Sequence, residues 1–97
     1  MLLSLSTNVR KEALYELDRE IEIVDRLLTL LYKGEDSNIQ SILLSNTEFQ
    51  PKILDKTWSN IKMSISRFLN GKDSRNDLKE DMQSTYGRLK DVRSSLK

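Results

Sequence analysis

Residues 14–31 read LYELDREIEIVDRLLTLL. Their apolar members Leu14, Leu17, Ile21, Val24, Leu28 and Leu31 follow one another in steps of 3, 4, 3, 4 and 3. That spacing keeps a stripe on one side of an α-helix for more than two heptads, and no strand alternation competes with it. Outward from this stretch, Thr7 or Asn8 is placed to cap the start of the helix, and Gly34 supplies the left-handed residue that ends one. Lys33 suits the negative end of the helix dipole. The first helix is expected over about residues 8–33, roughly 38 Å long at 1.5 Å per residue.

Three further helices follow. Glu35 to Asn38 is a polar break in which Asp36 or Ser37 offers a cap. Ile39, Ile42 and Leu43 then predict a short helix over about 38–45. Thr47 and Gln50 have capping-box spacing, and Pro51 fits a first helical turn, so a second long helix is expected over about 48–70. Its seam is Leu54, Trp58, Ile61, Ile65 and Phe68, widened by Ile53 and Leu69, and Asn70-Gly71 stops it. Asp73 or Ser74 caps a last helix over about 74–96, with Leu78, Met82, Tyr86 (or Thr85), Leu89, Val92 and Leu96 inward. Gly87 in its interior costs about 1 kcal/mol relative to Ala. Short links make antiparallel neighbours. The expected fold is all-α: one domain over 1–97, an antiparallel bundle of three long helices running up, down and up, with the short helix across one end. Near-heptad spacing favours crossing angles of about 20°.

Composition agrees with one small helical domain. The 97 residues are 37% hydrophobic and 32% charged, with 3 Gly and 1 Pro, too few turn formers for a sandwich or barrel. The apolar positions are too many and too regular for a disordered tail. Net charge is +1, but residues 1–48 carry −4 and residues 49–97 carry +5. Such asymmetry marks either a basic segment for a nucleic acid or membrane, or acidic and basic segments packed together. Met1 to Ser6 lacks the charged leader and apolar length of a signal peptide, and no stretch approaches the ~18 apolar residues of a membrane span. A cytoplasmic protein is expected.

Catalytic and metal chemistry find little support. There is no Cys and no His, which removes thiol catalysis, Cys-zinc sites and the commonest general base. Serine without His lacks its usual partner. The glycines are isolated at 34, 71 and 87, so no phosphate loop exists. The segment Asp73 to Asp77 lacks the Gly and distal Glu of a calcium loop. Glu12, Glu16 and Glu20 on the first helix, and Asp77, Glu80 and Asp81 on the last, lie off the apolar seams and are expected on solvated faces. No catalytic residue, cofactor or metal is assigned, and the protein is not expected to be an enzyme.

Two binding readings remain. Ile23, Leu27, Leu30 and Tyr32 lie outside the main stripe and make residues 21–32 apolar on most sides. A helix apolar all round needs a cover on every side. The short helix is one candidate cover and a second protein chain is another. Leu2, Leu3 and Leu5 add apolar side chains at the N-terminus. A protein-interaction module is therefore expected, an adaptor, chaperone, inhibitor or assembly subunit. It would bind a protein partner or a second copy, as in a homodimer, through Ile23, Leu27 and Leu30, with Leu2, Leu3 and Leu5 joining. The alternative is a nucleic-acid binder using Arg75, Lys79, Tyr86, Lys90, Arg93 and Lys97, which recur at helical spacing. Interleaved Asp73, Asp77, Glu80, Asp81 and Asp91 weaken that field, and Lys and Arg flanking a core seam explain the stripe without a ligand.

Overall fold

The computed structural model describes residues 7–96. Their elements are α1 (Thr7–Lys33), a 3₁₀ turn (Asp36–Asn38), α2 (Ile39–Ser45), α3 (Asp55–Leu69) and α4 (Arg75–Ser95). The all-helical bundle of three long helices and one short one is the class the periodicity predicts. At about 1.5 Å per residue, the 27 residues of α1 nearly span the 43 Å long axis of the molecule.

The helix ends follow from local chemistry. Gly34 and Gly71 adopt φ of 74° and 76°, conformations that side chains with a Cβ rarely take. Each completes a Schellman motif. After α1, the Glu35 amide donates to the Leu30 carbonyl and the Gly34 amide to that of Leu31; after α3, Lys72 donates to Arg67 and Gly71 to Phe68. Ser74 opens α4 with a full capping box: its hydroxyl accepts from the Asp77 amide, and the Asp77 carboxylate accepts from the Ser74 amide, which holds that acid below its ordinary range. Neither Asp36 nor Ser37 caps α2, contrary to expectation. The Asp36 carboxylate instead accepts from Arg75 at 2.8 Å.

The path of the chain differs from the expected up, down, up. The amide of Leu54, just before α3, reaches Glu16 in the first half of α1, while Arg75 at the start of α4 pairs with Asp36 beyond the far end of α1. Arg93 near the end of α4 returns to Asp18. So α1 and α3 run the same way and α4 runs against both. The downward path between α1 and α3 is taken by α2 and residues 46–54, with Asn46 already level with Arg19. The short helix does not lie across an end. It is a truncated second member of a four-sided bundle in which α1 packs on α4 and α2, and α3 packs on α4 and α2. Two ion pairs, Arg75–Asp36 and Arg93–Asp18, tie the basic half of the chain to the acidic half.

One continuous core joins all four helices. Leu17, Val24 and Leu31 of α1 are buried with Ile39 and Ile42 of α2, Trp58, Ile61 and Ile65 of α3, and Leu78, Met82 and Leu89 of α4. Thr85, not Tyr86, takes the inward position on α4, and Tyr86 is half-buried at its edge. Ile53 and Leu69 do not widen the α3 seam: both are exposed, Ile53 because it precedes the helix and Leu69 at its last residue.

α3 begins at Asp55 and not near Glu48, where the capping-box spacing places it. Residues 46–54 fold back so that Phe49 and Pro51 are buried. The Phe49 ring meets Trp58 edge-on at 5.2 Å between centroids, and the Arg19 guanidinium lies 5.1 Å from the Phe49 centroid. A helix begun at Glu48 would use the amides of Lys52, Ile53 and Leu54 internally. Here all three go to a carboxylate on α1.

Trp58 is 5% exposed and ties residues 46–54 to the core. Trp58→Ala is expected to cost about 3–5 kcal/mol in denaturant titration, the range for truncating a large buried aromatic. A loss well under 1 kcal/mol would place the indole outside the cooperative core.

Candidate functional site

The main stripe of α1 through Leu17, Val24 and Leu31 does not exhaust its buried surface. A second stripe runs through Glu16, Glu20, Ile23, Leu27 and Leu30, with steps of 4, 3, 4 and 3. Its first four members are buried and Leu30 is half-buried. This stripe turns toward α2 and residues 46–54: Glu16 bonds residues 52–54 at one end, and Leu30 borders Ile42 at the other. Glu16 and Glu20 therefore do not sit on a solvated face. Glu12, Asp77, Glu80 and Asp81 do.

Glu16 is stabilised by three backbone donors. Its Oε2 accepts from the Lys52 amide and its Oε1 from the Ile53 and Leu54 amides, each at 2.9 Å. Leu54 is the N-cap residue of α3 and has no side-chain acceptor to offer its own helix. The carboxylate of α1 thus does from a distance what a local Asp or Ser does at other helix starts, and its negative charge faces the positive end of α3. Beside it, Arg19 donates to Asn46 Oδ1 at 2.8 Å and Glu48 Oε1 at 2.9 Å, fixing the same segment from its other end.

Glu20 lies one turn further and has none of this. It is 0% exposed, and neither carboxylate oxygen has a hydrogen-bond partner. Burial first, and the neighbouring Glu16 carboxylate second, push its pKa up from 4.5 to about 8. At neutral pH the fold carries Glu20 as the uncharged acid. Both carboxyl groups are buried. Among the described residues no group of three His, Cys, Asp or Glu side chains is placed to hold a metal ion.

The apolar face expected for a partner is placed differently. Ile23 and Leu27 belong to the core of the single chain, because α2 covers them, and only Leu30 of that group remains partly open. Leu2, Leu3 and Leu5 lie outside the described residues. Exposed apolar side chains are spread over the surface, Tyr15, Tyr32, Met63 and Val92 among them, and one stands on the covering helix α2 itself. Leu44 at the crest of α2 is 65% exposed, and Leu69 on α3 is 41% exposed across a groove floored by Leu43. A second groove on the other flank of α2 is lined by Leu30, Ile42, Ser41 and Ser45, with the charged Asp25 and Arg26 on its α1 side. Residues 37–47, SNIQSILLSNT, carry no charge in a chain that is 32% charged. The signal for this face was the missing charge, which a search for apolar spacing passes over.

The basic stripe is engaged within the chain. Arg75 donates to Asp36 and to the Leu31 carbonyl, and Arg93 pairs with Asp18 at 2.8 Å. The Lys79 ammonium lies 4.7 Å from the Tyr32 ring centroid and that of Lys90 5.7 Å from Tyr86. Lys97 lies outside the described residues. No helix among the described residues is long and apolar enough to cross a membrane. No protein-family model, curated protein or solved structure matches the chain.

The two glutamates give opposite predictions. Glu16→Ala strands three amides, each costing about 1–3 kcal/mol when unsatisfied, so a loss of about 3 kcal/mol or more is expected by denaturant titration. Glu12→Ala, one turn earlier and exposed, should change stability by under ~0.5 kcal/mol. Equal effects at the two positions would contradict the capping role.

Glu20 should make stability fall as pH rises. Between pH 4.5 and about 8 the folded chain keeps a proton that the unfolded chain releases. Each pH unit in that window removes about 1.4 kcal/mol of this group's contribution, which is full below the window and gone above it. Thermal unfolding across the window should show that slope in the wild type and a flatter profile in Glu20→Gln. Matching profiles would contradict a neutral buried acid.

Proposed function

We propose that this chain is a non-enzymatic protein-interaction module and that its binding face is α2 with the two grooves flanking it. One observation carries the reading. α2 presents an uncharged ridge on which Leu44 is 65% exposed beside Leu69, in a molecule whose other faces are studded with charge. Depletion of charge with retention of apolar side chains distinguishes the centre of a protein interface from ordinary surface. Burying Leu44 and Leu69 against a partner would contribute a few kcal/mol at roughly 25 cal/mol per Å² of apolar area, before the entropy of association is subtracted. The proposal keeps the interaction role expected from the first helix and moves its surface from Ile23 and Leu27 to the helix that covers them. A cytoplasmic setting belongs to the same proposal.

A photo-crosslinking residue at the exposed position Ser41 tests it in cells that make the protein. The reading expects a discrete crosslinked product that disappears in Leu44→Glu and is not formed by the same probe at exposed Arg88 on α4. Products of equal yield from both positions, or none from Ser41, would overturn it.

A further inference from the structure

Resting on the reading that α2 carries the binding face, we propose that the occupant of this face is a second copy of the chain, joined about a two-fold axis that passes beside Leu44. In such a contact the same patch meets itself, so every residue near the axis faces its own counterpart. A Lys, Arg, Asp or Glu there opposes a like charge and brings repulsion. The run from Ser37 to Thr47 holds no charged residue. Its exposed polar groups, Ser37, Asn38, Gln40, Ser41, Ser45 and Thr47, are amides and hydroxyls that both donate and accept. Groups of that kind bond to copies of themselves, which an ammonium or a carboxylate does not.

Shape supplies the second part of the argument. Leu44 projects from the crest of α2, and the groove between α2 and α3 beside it is lined by Leu43, Leu69, Ser66 and Asn70. A knob and a socket lie side by side on one face, which is the arrangement a two-fold axis uses twice. The charges at the border do not oppose this. On the α1 side Asp25 and Arg26 carry opposite signs, and on the α3 side the Lys62 ammonium is directed over its own Trp58 ring, 5.7 Å from the centroid.

The patch is small. At about 1.5 Å per residue α2 is only ~10 Å long, so the contact falls at the low end of specific interfaces, below about 600 Å² per partner. The dimer is accordingly weak and dependent on concentration.

Sedimentation equilibrium of the purified protein over a series reaching the millimolar range tests the inference. The expected result is a reversible monomer–dimer equilibrium in the wild type. Leu44→Glu and Leu44→Lys should each weaken it at least about tenfold, as truncation of a central interface residue does. An equimolar mixture of the two variants should restore dimers, because opposite charges then meet across the axis. Circular dichroism checks that both variants stay folded, and Gln40→Glu or Gln40→Lys on the same face replaces the variant of the same sign that does not. A wild type that stays monomeric, a charged variant that dimerises as the wild type does, or a mixture that stays monomeric each overturns the second copy as occupant. If the wild type is monomeric while the Ser41 probe still forms a product that Leu44→Glu abolishes, the second copy falls and the α2 face stands. If neither is seen, both fall.

Discussion

Three backbone amides converging on one buried carboxylate set the shape of this molecule. Glu16 on α1 takes the amides of Lys52, Ile53 and Leu54, and those bonds decide where α3 begins and how the chain returns to it. Without them residues 48–54 have the makings of an extra helical turn or two. With them the segment folds back, buries Phe49 against Trp58, and delivers Asp55 as the first residue of a helix parallel to α1. The second side of the bundle is therefore short. α2 has only 7 residues, and its crest and flanks stay open where a full-length helix would have been walled in by its neighbours.

Glu16 and Glu20 show how differently one residue type behaves one turn apart. A buried carboxylate that accepts hydrogen bonds from several amides offsets the loss of its hydration. Glu20 has no donor to turn to, and a second negative charge beside Glu16 adds repulsion to desolvation. The proton it retains is the least costly solution. The pair places a polar stretch in a stripe that becomes wholly apolar from Ile23 onward, so the first half of α1 positions backbone while the second half fills the core.

Much of the fold was legible because it depends on local rules. The stripe from Leu14 to Leu31, the glycines at 34 and 71, and the capping residue Ser74 each act through their immediate neighbours, and each did what its spacing predicts. The start of α3 was not legible, because the groups that compete for the amides of residues 52–54 are 36 to 38 positions apart along the chain. Thr47, Gln50 and Pro51 form a sound local signal that a tertiary contact overrides. The two buried glutamates had a signal of their own: extending the off-stripe series Leu30, Leu27, Ile23 backward by the same steps lands on Glu20 and Glu16. The rule that charges lie opposite the seam hid them. That same series suggested an open apolar face, yet Ile23 and Leu27 are buried within the single chain, and on α2 it is Leu44 that stands exposed.

The Glu16 carboxylate, and not solvent, holds the chain leading into α3. Amide hydrogen exchange followed residue by residue by NMR reads this out. The amides of Lys52, Ile53 and Leu54, which belong to no helix, should exchange as slowly as those in the middle of α3, because freeing them requires opening the core. Exchange at the rate of an exposed loop would contradict it.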